Sequence, residues 1–285
     1  MRVTLVHNPT AGNEEHGREA LLTFLRRAGY RAAYQSTEES GWEQALRDPG
    51  DLVVAAGGDG TVRKVVALLA GRGVRIALVP LGTANNVSDT LGIAGPPDQL
   101  IAAWQPRRTR KFDVGWVRSP RGRARFVEAV GIGVFAKMMS LFEQGSNDAG
   151  QELMRARRCL RKVLARYPAF DCRLELDGRD LSGRYLMVEA MNIRAIGPNL
   201  QLVPGADPGD GLLDLVLVPE RSRGVLDTFI AGVLKGNPAP LPLSAKRGQI
   251  LEVRGRGLDL HLDDQVVAGD RLSARLEAGA VELIA

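Results

Sequence analysis

The residues with the clearest chemical potential in this sequence form a glycine-rich turn around one carboxylate. The segment Gly57-Gly58-Asp59-Gly60-Thr61 follows an apolar run from Leu52 to Ala56. Glycines at such a turn leave backbone N–H groups open to an anion, above all where a helix begins. Because a carboxylate repels phosphate, Asp59 fits only if it binds a metal ion or orients a hydroxyl beside the phosphates. A purely structural glycine turn is the alternative at this point.

The elements around this turn alternate between strand and helix. Apolar runs predict strands, and apolar residues at helical spacing predict helices. The predicted strands cover residues 3–6, 30–35, 52–56 and 74–79, and the predicted helices cover about residues 17–28, 41–47 and 61–70. This alternation is typical of a parallel sheet with helices on both faces. We therefore expect a doubly wound α/β nucleotide-binding domain over residues 1–106.

Small polar residues follow each of the four predicted strands. These segments share glycine, hydroxyl and amide groups, and they are Asn8 to Gly12, Ser36-Thr37, Gly57 to Thr61 and Leu81 to Asn85. Ligands of parallel sheets bind outside the carboxyl ends of the strands. We therefore expect the four segments to converge, which favours a nucleotide site over a structural turn.

A second domain is predicted after the segment Trp104-Gln105-Pro106-Arg107-Arg108, where the pattern becomes mostly strand. Strands are predicted at residues 109–118, 124–131, 170–177, 184–193, 212–218 and in short runs from residue 250 onward. Turns with glycine and aspartate separate them. We expect an antiparallel β-sandwich-like domain over residues 107–285, interrupted by helices near 152–167 and 222–235. Its last strand could pack back toward the first domain.

The composition excludes several classes of protein. With 285 residues, 45% of them hydrophobic and 25% charged, the chain is typical of globular proteins. It has no apolar run of membrane-spanning length and no signal-peptide pattern. Cys159 and Cys172, the only cysteines, fit a reducing cytoplasm, and the three histidines are too scattered to predict a metal site. The net charge of +5 permits an anionic partner without identifying one.

The predicted helix near residues 152–167 is amphipathic and basic. One face carries Leu153, Leu160, Val163, Leu164 and Tyr167, and the rest carries Arg155, Arg157, Arg158, Arg161, Lys162 and Arg166. Such a helix can lie on an anionic bilayer, here at the inner membrane face, or it can be a solvated face over a packed stripe. We expect no nucleic-acid partner, because no aromatic residues interleave with the cations. The oligomeric state is open, with a homodimer as one alternative.

Four motifs in order give the chain a resemblance to the diacylglycerol kinase catalytic family, which is related to bacterial lipid kinases, sphingosine kinases and, more distantly, NAD kinases. The motifs are Asn8-Pro9-Thr10-Ala11-Gly12, Gly57 to Thr61, Pro80-Leu81-Gly82-Thr83-Ala84-Asn85, and Met191-Asn192 followed by Pro204 to Asp214. The resemblance covers nearly the whole chain. It implies an ATP-dependent lipid kinase that phosphorylates the hydroxyl of diacylglycerol or a similar lipid alcohol, with ATP and Mg²⁺ in an interdomain cleft.

The resemblance also implies site residues. The positions that match nucleotide-binding residues are Asn8, Thr37, Gly57, Gly58, Asp59, Gly60, Thr61, Val62, Arg63, Gly82, Thr83 and Asn85. Asp210, with the backbone carbonyls of Leu213 and Leu215, matches a structural magnesium site, and carboxylate with carbonyl oxygens suits a hard cation. Without the resemblance, Asp210 would be read as part of an Asp-Gly turn.

Two departures from the family pattern concern catalysis. Lys64 stands after Arg63, where the family usually has Glu, and these extra cations could recruit a more anionic acceptor. Asp263-Asp264-Gln265 stands where the family reads Asp-Gly-Glu, the Glu being the proposed general base. A neutral amide accepts no proton, and loss of a general base costs about 10²–10⁴-fold in rate. The candidate catalytic residues are therefore Asp59, Gln265 and Asp264, with Asp263 as a further candidate base.

Two other functions stay open from the sequence. Gln265 in place of the base favours a catalytically impaired module that binds nucleotide and lipid. The distant resemblance to NAD kinases favours a kinase with a soluble acceptor.

Overall fold

The structure, a computed structural model, describes residues 1–11, 16–104, 108–119, 122–142 and 149–284. It has two compact units. The first comprises Met1–Val114 and Ala278–Ala285, and the second comprises Gly115–Glu277. The predicted boundary between residues 106 and 107 lies outside the described residues. The chain enters the second unit within one strand and returns to the first within its last strand.

The first unit is built on a parallel sheet. Its strands are β1 (Arg2–His7), β2 (Arg31–Ser36), β3 (Leu52–Gly57) and β4 (Arg75–Pro80), and its helices are α1 (Arg18–Arg27), α2 (Asp59–Leu69), α3 (Asn86–Leu91) and α4 (Pro97–Ala103). The strand order is β2-β1-β3-β4, with every pair parallel. All six residues of β3 are buried, which explains its unbroken apolar run. The predicted α/β fold is confirmed.

Local differences from the prediction in this unit have local causes. The helix predicted at residues 41–47 is a 3₁₀ helix, Trp42–Leu46, which starts after Gly41 in the left-handed region at φ 75°. A segment this short closes i→i+3 hydrogen bonds more readily than a full α-helical turn. Helix α3 was not predicted, because its residues, Asn-Val-Ser-Asp-Thr-Leu, have low helix propensity.

The second unit is mostly antiparallel. Its strands are β5 (Thr109–Ser119), β6 (Gly122–Phe126), β7 (Ala129–Gly133), β8 (Phe170–Leu176), β9 (Arg179–Asp180), β10 (Gly183–Met191), β11 (Ala195–Ile196), β12 (Leu200–Gln201), β13 (Leu213–Pro219), β14 (Lys246–Gly248), β15 (Ile250–Arg254), β16 (Asp259–Leu262), β17 (Gln265–Ala268) and β18 (Arg271–Ile284). Strands β5 and β18 each extend into the first unit. The neighbour order β17-β16-β7-β10-β8-β15-β18 forms the main path, and β13 pairs with β10 and β14.

The helices of the second unit are α5 (Val134–Leu141), α6 (Ala149–Arg166) and α7 (Arg223–Leu234), and a short 3₁₀ helix covers Glu220–Ser222. Helix α5 was not predicted, because its sequence is apolar nearly all round and lacks a polar face to set the period. The strand predicted at residues 124–131 is divided into β6 and β7. Within the described residues, no helix combines the length and the hydropathy needed to cross a membrane.

The end of β18 completes the sheet of the first unit. Glu282 and Leu283 pair in parallel with Arg75 and Ile76 of β4. Gly279 N donates to the Asp113 carboxylate at 2.6 Å, and Gly71 N donates to Ala280 O at 2.8 Å. These bonds join the last strand to the sheet that carries the glycine turns.

Candidate functional site

The turn between β3 and α2 is one that only glycine permits. Gly57 ends the strand, and a Cβ there would lie 2.4 Å from Thr61 Oγ1. Gly58 precedes α2, and its carbonyl accepts from Thr61 N at 3.0 Å and from Val62 N at 3.1 Å. The space over Gly57 is filled by the Thr61 side chain, so the glycine lets the turn pack closely on the first turn of α2. The N-terminal end of α2, where backbone N–H groups favour an anion, follows directly after this turn.

The turn after β4 packs directly against this glycine turn. A Cβ on Gly82 would lie only 2.3 Å from Gly58 Cα, so the two backbones are in contact. Leu81 N donates to Gly57 O at 3.0 Å. The Asn85 side chain closes its own turn, because Oδ1 accepts from Gly82 N at 3.0 Å and Nδ2 donates to Gly82 O at 2.8 Å. The second and third glycine-bearing segments are thus brought together.

The other two polar segments join the same strand ends. Asn8 N donates to Ala56 O at 2.9 Å, which fixes the segment after β1 to the end of β3. Thr37 N donates to His7 O at 2.8 Å, which fixes the segment after β2 to the end of β1. Gly12 of the first motif lies outside the described residues. The structure therefore places Asn8, Thr37 and both glycine turns along one edge of the sheet.

Some residues that match nucleotide-binding positions of the family have buried side chains. Val62 is 2% exposed and packs in the core of the unit, and Thr61 is also buried. Thr83 is exposed, and Arg63 is half-buried. Any contact of Val62 with a ligand would have to use its backbone, since its side chain is enclosed.

Asp59 joins the starts of two helices. It is the first residue of α2, and its Oδ1 accepts from Val87 N, at the start of α3, at 3.0 Å. Burial raises the pKa of Asp59, while hydrogen bonds from the backbone N–H groups of Val87, Asn86 and Asn85 oppose that rise. The charge of Asp89 raises it further. The carboxylate is therefore fixed between the start of α2, to which it belongs, and the start of α3.

Asp59 is the candidate ligand for a magnesium ion that would arrive with a nucleotide. No group of three His, Cys, Asp or Glu side chains suited to a metal exists among the residues that the structure describes. Mg²⁺ bound with phosphates commonly takes only one or two carboxylates and completes its octahedron with phosphate oxygens and water. The single carboxylate of Asp59 is compatible with that mode.

Asp210 is in a different situation. Its Oδ1 accepts from Leu212 N at 2.9 Å, and its Oδ2 accepts from the Arg247 guanidinium. Arg247 also pairs with Asp214 at 3.3 Å. A guanidinium thus already neutralises the carboxylate, and the carbonyl-bearing residues Leu213 and Leu215 lie in β13 between β10 and β14. This arrangement does not fit a magnesium ion, and the metal site at Asp210, Leu213 and Leu215 stays a prediction of the resemblance.

The turn between β16 and β17 contains Asp263 and Asp264, and Gln265 is the first residue of β17. Asp263 is buried, and its carboxylate accepts from the N–H groups of Val127, Glu128 and Ala129 at 2.8–3.2 Å. These bonds explain why the predicted strand 124–131 is broken, and they favour a structural role for Asp263 over that of a base. Asp264 and Gln265 are exposed.

A buried acid–imidazole pair behind this turn was not predicted from the sequence. Glu189 of β10 and His261 of β16 are both 0% exposed, and His261 Nε2 lies 2.7 Å from Glu189 Oε2. His261 Nδ1 lies 2.9 Å from the carbonyl of Asp263, so Nδ1 is the donor there. The only sequence signal was a charged residue inside each of two apolar strands. A Cβ on Gly131 would lie 1.8 Å from Glu189 Oε2, so a glycine makes room for the pair.

Comparison with known proteins covers both units. Residues 2–117 match the diacylglycerol kinase catalytic domain, and residues 130–285 match the YegS C-terminal NAD kinase beta sandwich-like domain. Two solved structures have the same fold. A diacylglycerol kinase of Bacillus anthracis aligns with a TM-score of 0.72 at 19% identity over 99% of this chain and 96% of that one. An NAD kinase of Archaeoglobus fulgidus in complex with ATP aligns with a TM-score of 0.58 at 15% identity over 100% and 94%.

Relatives of known description are similar in sequence as well. A Pseudomonas aeruginosa protein described as a probable lipid kinase YegS-like is 31% identical over 98% of this chain and 92% of its own length. A Mycobacterium tuberculosis diacylglycerol kinase is 25% identical over 75% of this chain and 70% of its own length. With both of its parts matched by the family's domains and the order of motifs retained, the chain belongs to the diacylglycerol kinase family of phosphotransferases.

Proposed function

We propose that the protein is an ATP-dependent lipid kinase that transfers a phosphoryl group to the hydroxyl of diacylglycerol or a similar lipid alcohol. The observation that carries the proposal is the backbone contact of Gly58 with Gly82 beside the oriented carboxylate of Asp59. Membership in a kinase family and the descriptions of the relatives support the reaction class. The acceptor is the part of the proposal that most needs an experiment.

The proposed mechanism assigns separate tasks to the residues of the first unit. Backbone N–H groups at the start of α2 would bind phosphate oxygens, and Asp59 would hold the Mg²⁺ that accompanies the nucleotide. When bound, Mg²⁺ neutralises charge on the phosphates. Because phosphoryl transfer depends mainly on positioning and charge neutralisation, turnover does not require a strong general base.

The direct test is transfer of label from radioactive ATP to a lipid extract by the purified protein. We expect Mg²⁺-dependent labelling of a lipid alcohol, and we expect Gln265→Glu to increase the rate at least about tenfold, because it supplies a general base. Gln201→Glu, an exposed glutamine of β12, is the control for added negative charge. Absence of any labelled lipid with both the wild-type protein and Gln265→Glu would contradict the lipid kinase.

Gln265 also favours a second candidate function, a module that binds nucleotide and lipid without turnover. The commitment of Asp263 to three backbone N–H groups supports it, since one alternative base is taken up by structure. Wild-type turnover that needs Asp59 would exclude this candidate.

A kinase for a soluble acceptor is the third candidate, and phosphorylation of NAD by the purified protein would favour it over the lipid kinase.

We further propose that α6 touches anionic membranes through charge alone. Leu160 and Leu164 of α6, and Tyr167 directly after it, pack in the core of the second unit, so this apolar stripe is not available to insert. Arg161 forms a two-point pair with Asp227 at 2.7 and 3.0 Å, and Arg157 donates to Pro198 O at 2.9 Å. Among the residues that the structure describes, the exposed cations of the helix for which no such bond is formed are Arg158, Lys162 and Arg166.

Replacement of these three cations by glutamine should weaken binding to vesicles of phosphatidylcholine and phosphatidylglycerol more than tenfold. The reason is that each cation near an anionic surface contributes about 1 kcal/mol, which salt screens. Vesicle flotation at two salt concentrations measures the effect. A triple variant of Arg26, Arg27 and Arg31, exposed cations of the first unit, is the control with equal loss of charge. Equal weakening in both variants would show that α6 has no special part.

A further inference from the structure

Three arginines on adjacent strands of the second unit lie side by side. Arg254 of β15 is directly opposite Arg271 of β18 on one side and directly opposite Arg173 of β8 on the other. All three side chains are exposed, and residues paired in this way point to the same face of a sheet. The Cβ atoms of such pairs are only about 4.5–5.5 Å apart. This arginine row therefore concentrates positive charge on one face.

The row is costly in the absence of an anion. Like charges directly opposite each other destabilise a sheet. Protection of an exposed edge does not explain Arg254, because β15 has a partner strand on each side. A second arginine pair, Arg118 with Arg123, lies in register on β5 and β6. The repetition of a repulsive pairing indicates that an anion offsets it.

Acidic side chains lie near Arg173 and Arg254, but none lies at the corresponding position beside Arg271. The next row on the same face is Glu175, Glu252 and Ser273. Glu252 lies 3.9 Å from Arg254. The pKa of Asp180 is lowered mainly by its hydrogen bonds with Ser182 and in smaller part by the charge of Arg173, so Arg173 has an acidic neighbour. Beside Arg271, however, the corresponding position is Ser273, which has no charge. Within the described part of the chain, neither Arg271 nor Arg118 forms an ion pair.

A cavity lies at this unbalanced end. It has a volume of ≈ 190 Å³, and its polar lining consists of Arg118, Ser119, Glu252, Arg254, Arg271 and Ser273. A water molecule needs roughly 10–15 Å³ of such volume, so the cavity has room for a phosphate group. Three guanidinium groups against one carboxylate leave it with a net positive charge. Guanidinium forks match phosphate oxygens in geometry, and serine hydroxyls add donors.

We propose that this cavity is an oxyanion site that takes a phosphate group, either free or at a lipid headgroup. Arg254, Arg271 and Arg118 supply the charge, and Ser273 supplies a hydroxyl. The site belongs to the second unit, and none of its residues belongs to the glycine turns of the first. The proposal of this site therefore does not rest on the proposed kinase activity.

The test compares unfolding midpoints in chloride and in inorganic phosphate at equal ionic strength. We expect phosphate to raise the midpoint of the wild-type protein by about 3 °C, and we expect the Arg254→Gln/Arg271→Gln variant to lose that rise. In chloride, Arg271→Gln should raise the midpoint, because it removes the repulsion with Arg254. Arg275→Gln is the matched control, since Arg275 is an exposed residue of β18 opposite Ile250.

Each outcome decides the proposal. Phosphate that binds at the glycine turns raises the unfolding midpoint of all variants alike. The test therefore uses the difference between the rise in the wild-type protein and the rise in the double variant. A phosphate effect as large in the double variant as in the wild-type protein, or one reduced equally by Arg275→Gln, overturns the site. Flotation with vesicles of phosphatidylcholine containing phosphatidic acid then separates the two sources. Loss of vesicle binding in the double variant assigns the site to a headgroup, and unchanged vesicle binding with a lost phosphate effect assigns it to free phosphate.

Discussion

Asp59→Asn is expected to lower the rate of phosphoryl transfer by about 10²–10³-fold, the usual loss when one oriented group that stabilises the transition state is removed. Asparagine keeps an oxygen that can accept from Val87 N, now at 3.0 Å from Oδ1. It loses the negative charge that the proposed mechanism needs for Mg²⁺. The KM for ATP and the dependence on Mg²⁺ should change together with kcat.

Stability separates this effect from unfolding. Because burial raises the pKa of Asp59, its charged form is disfavoured in the folded protein, and a neutral isostere should not destabilise the fold. Thermal unfolding of Asp59→Asn should therefore match that of the wild-type protein. Asp98→Asn, at an exposed position of α4, is the control for loss of a negative charge. Wild-type turnover in Asp59→Asn would remove Asp59 from the mechanism.

His261→Ala is expected to destabilise the protein by about 3–5 kcal/mol, because it leaves the buried Glu189 without its partner. The pair is fully enclosed, and the His261 ring lies against Phe135 with centroids 5.0 Å apart. Glu189→Gln/His261→Gln should recover part of the loss, since it removes the buried charge as well as the bond. Urea unfolding followed by circular dichroism measures both. If His261→Ala and the double variant lose the same amount of unfolding free energy, then lost packing, and not the unpaired charge of Glu189, is the cause.

The same pair predicts a pH dependence of stability. Burial lowers the pKa of His261, but the charge and hydrogen bond of Glu189 outweigh burial and raise it, and burial raises the pKa of Glu189. Above pH 6.5 a histidine of the unfolded chain has lost its proton, whereas the folded protein still keeps a proton between His261 and Glu189. This stabilisation is complete below pH 6.5 and is lost as the pH rises through the folded pKa. The double variant should lack this decline, and a wild-type free energy of unfolding that rises above pH 6.5 would contradict the assignment.

The Glu189–His261 pair also helps to fix the turn that precedes Gln265. His261 Nδ1 donates to the carbonyl of Asp263, whose carboxylate is fixed by three N–H groups at the break between β6 and β7. The residues before Gln265 are thus anchored on both backbone and side chain. In this chain, acidic groups near Gln265 serve the structure of the turn, with exposed Asp264 as the exception.

The sequence by itself determined the α/β fold of the first unit and the position of its polar strand ends. Period and length are local properties, so the apolar run Leu52 to Ala56 and the glycines after it were sufficient to predict β3 and its turn. Family membership followed from motifs, which are also local. The antiparallel character of the second unit was predicted from its succession of strands separated by turns with glycine and aspartate.

Tertiary structure alone decided which polar residues meet. The contact of Gly58 with Gly82, the bond from Val87 to Asp59, and the pairing of Glu189 with His261 all join segments distant in sequence. The pairing of Arg247 with Asp210 and the row of Arg173, Arg254 and Arg271 depend likewise on strand register. No periodic pattern within one segment encodes register between segments, because register is fixed by the packing of whole strands against the core.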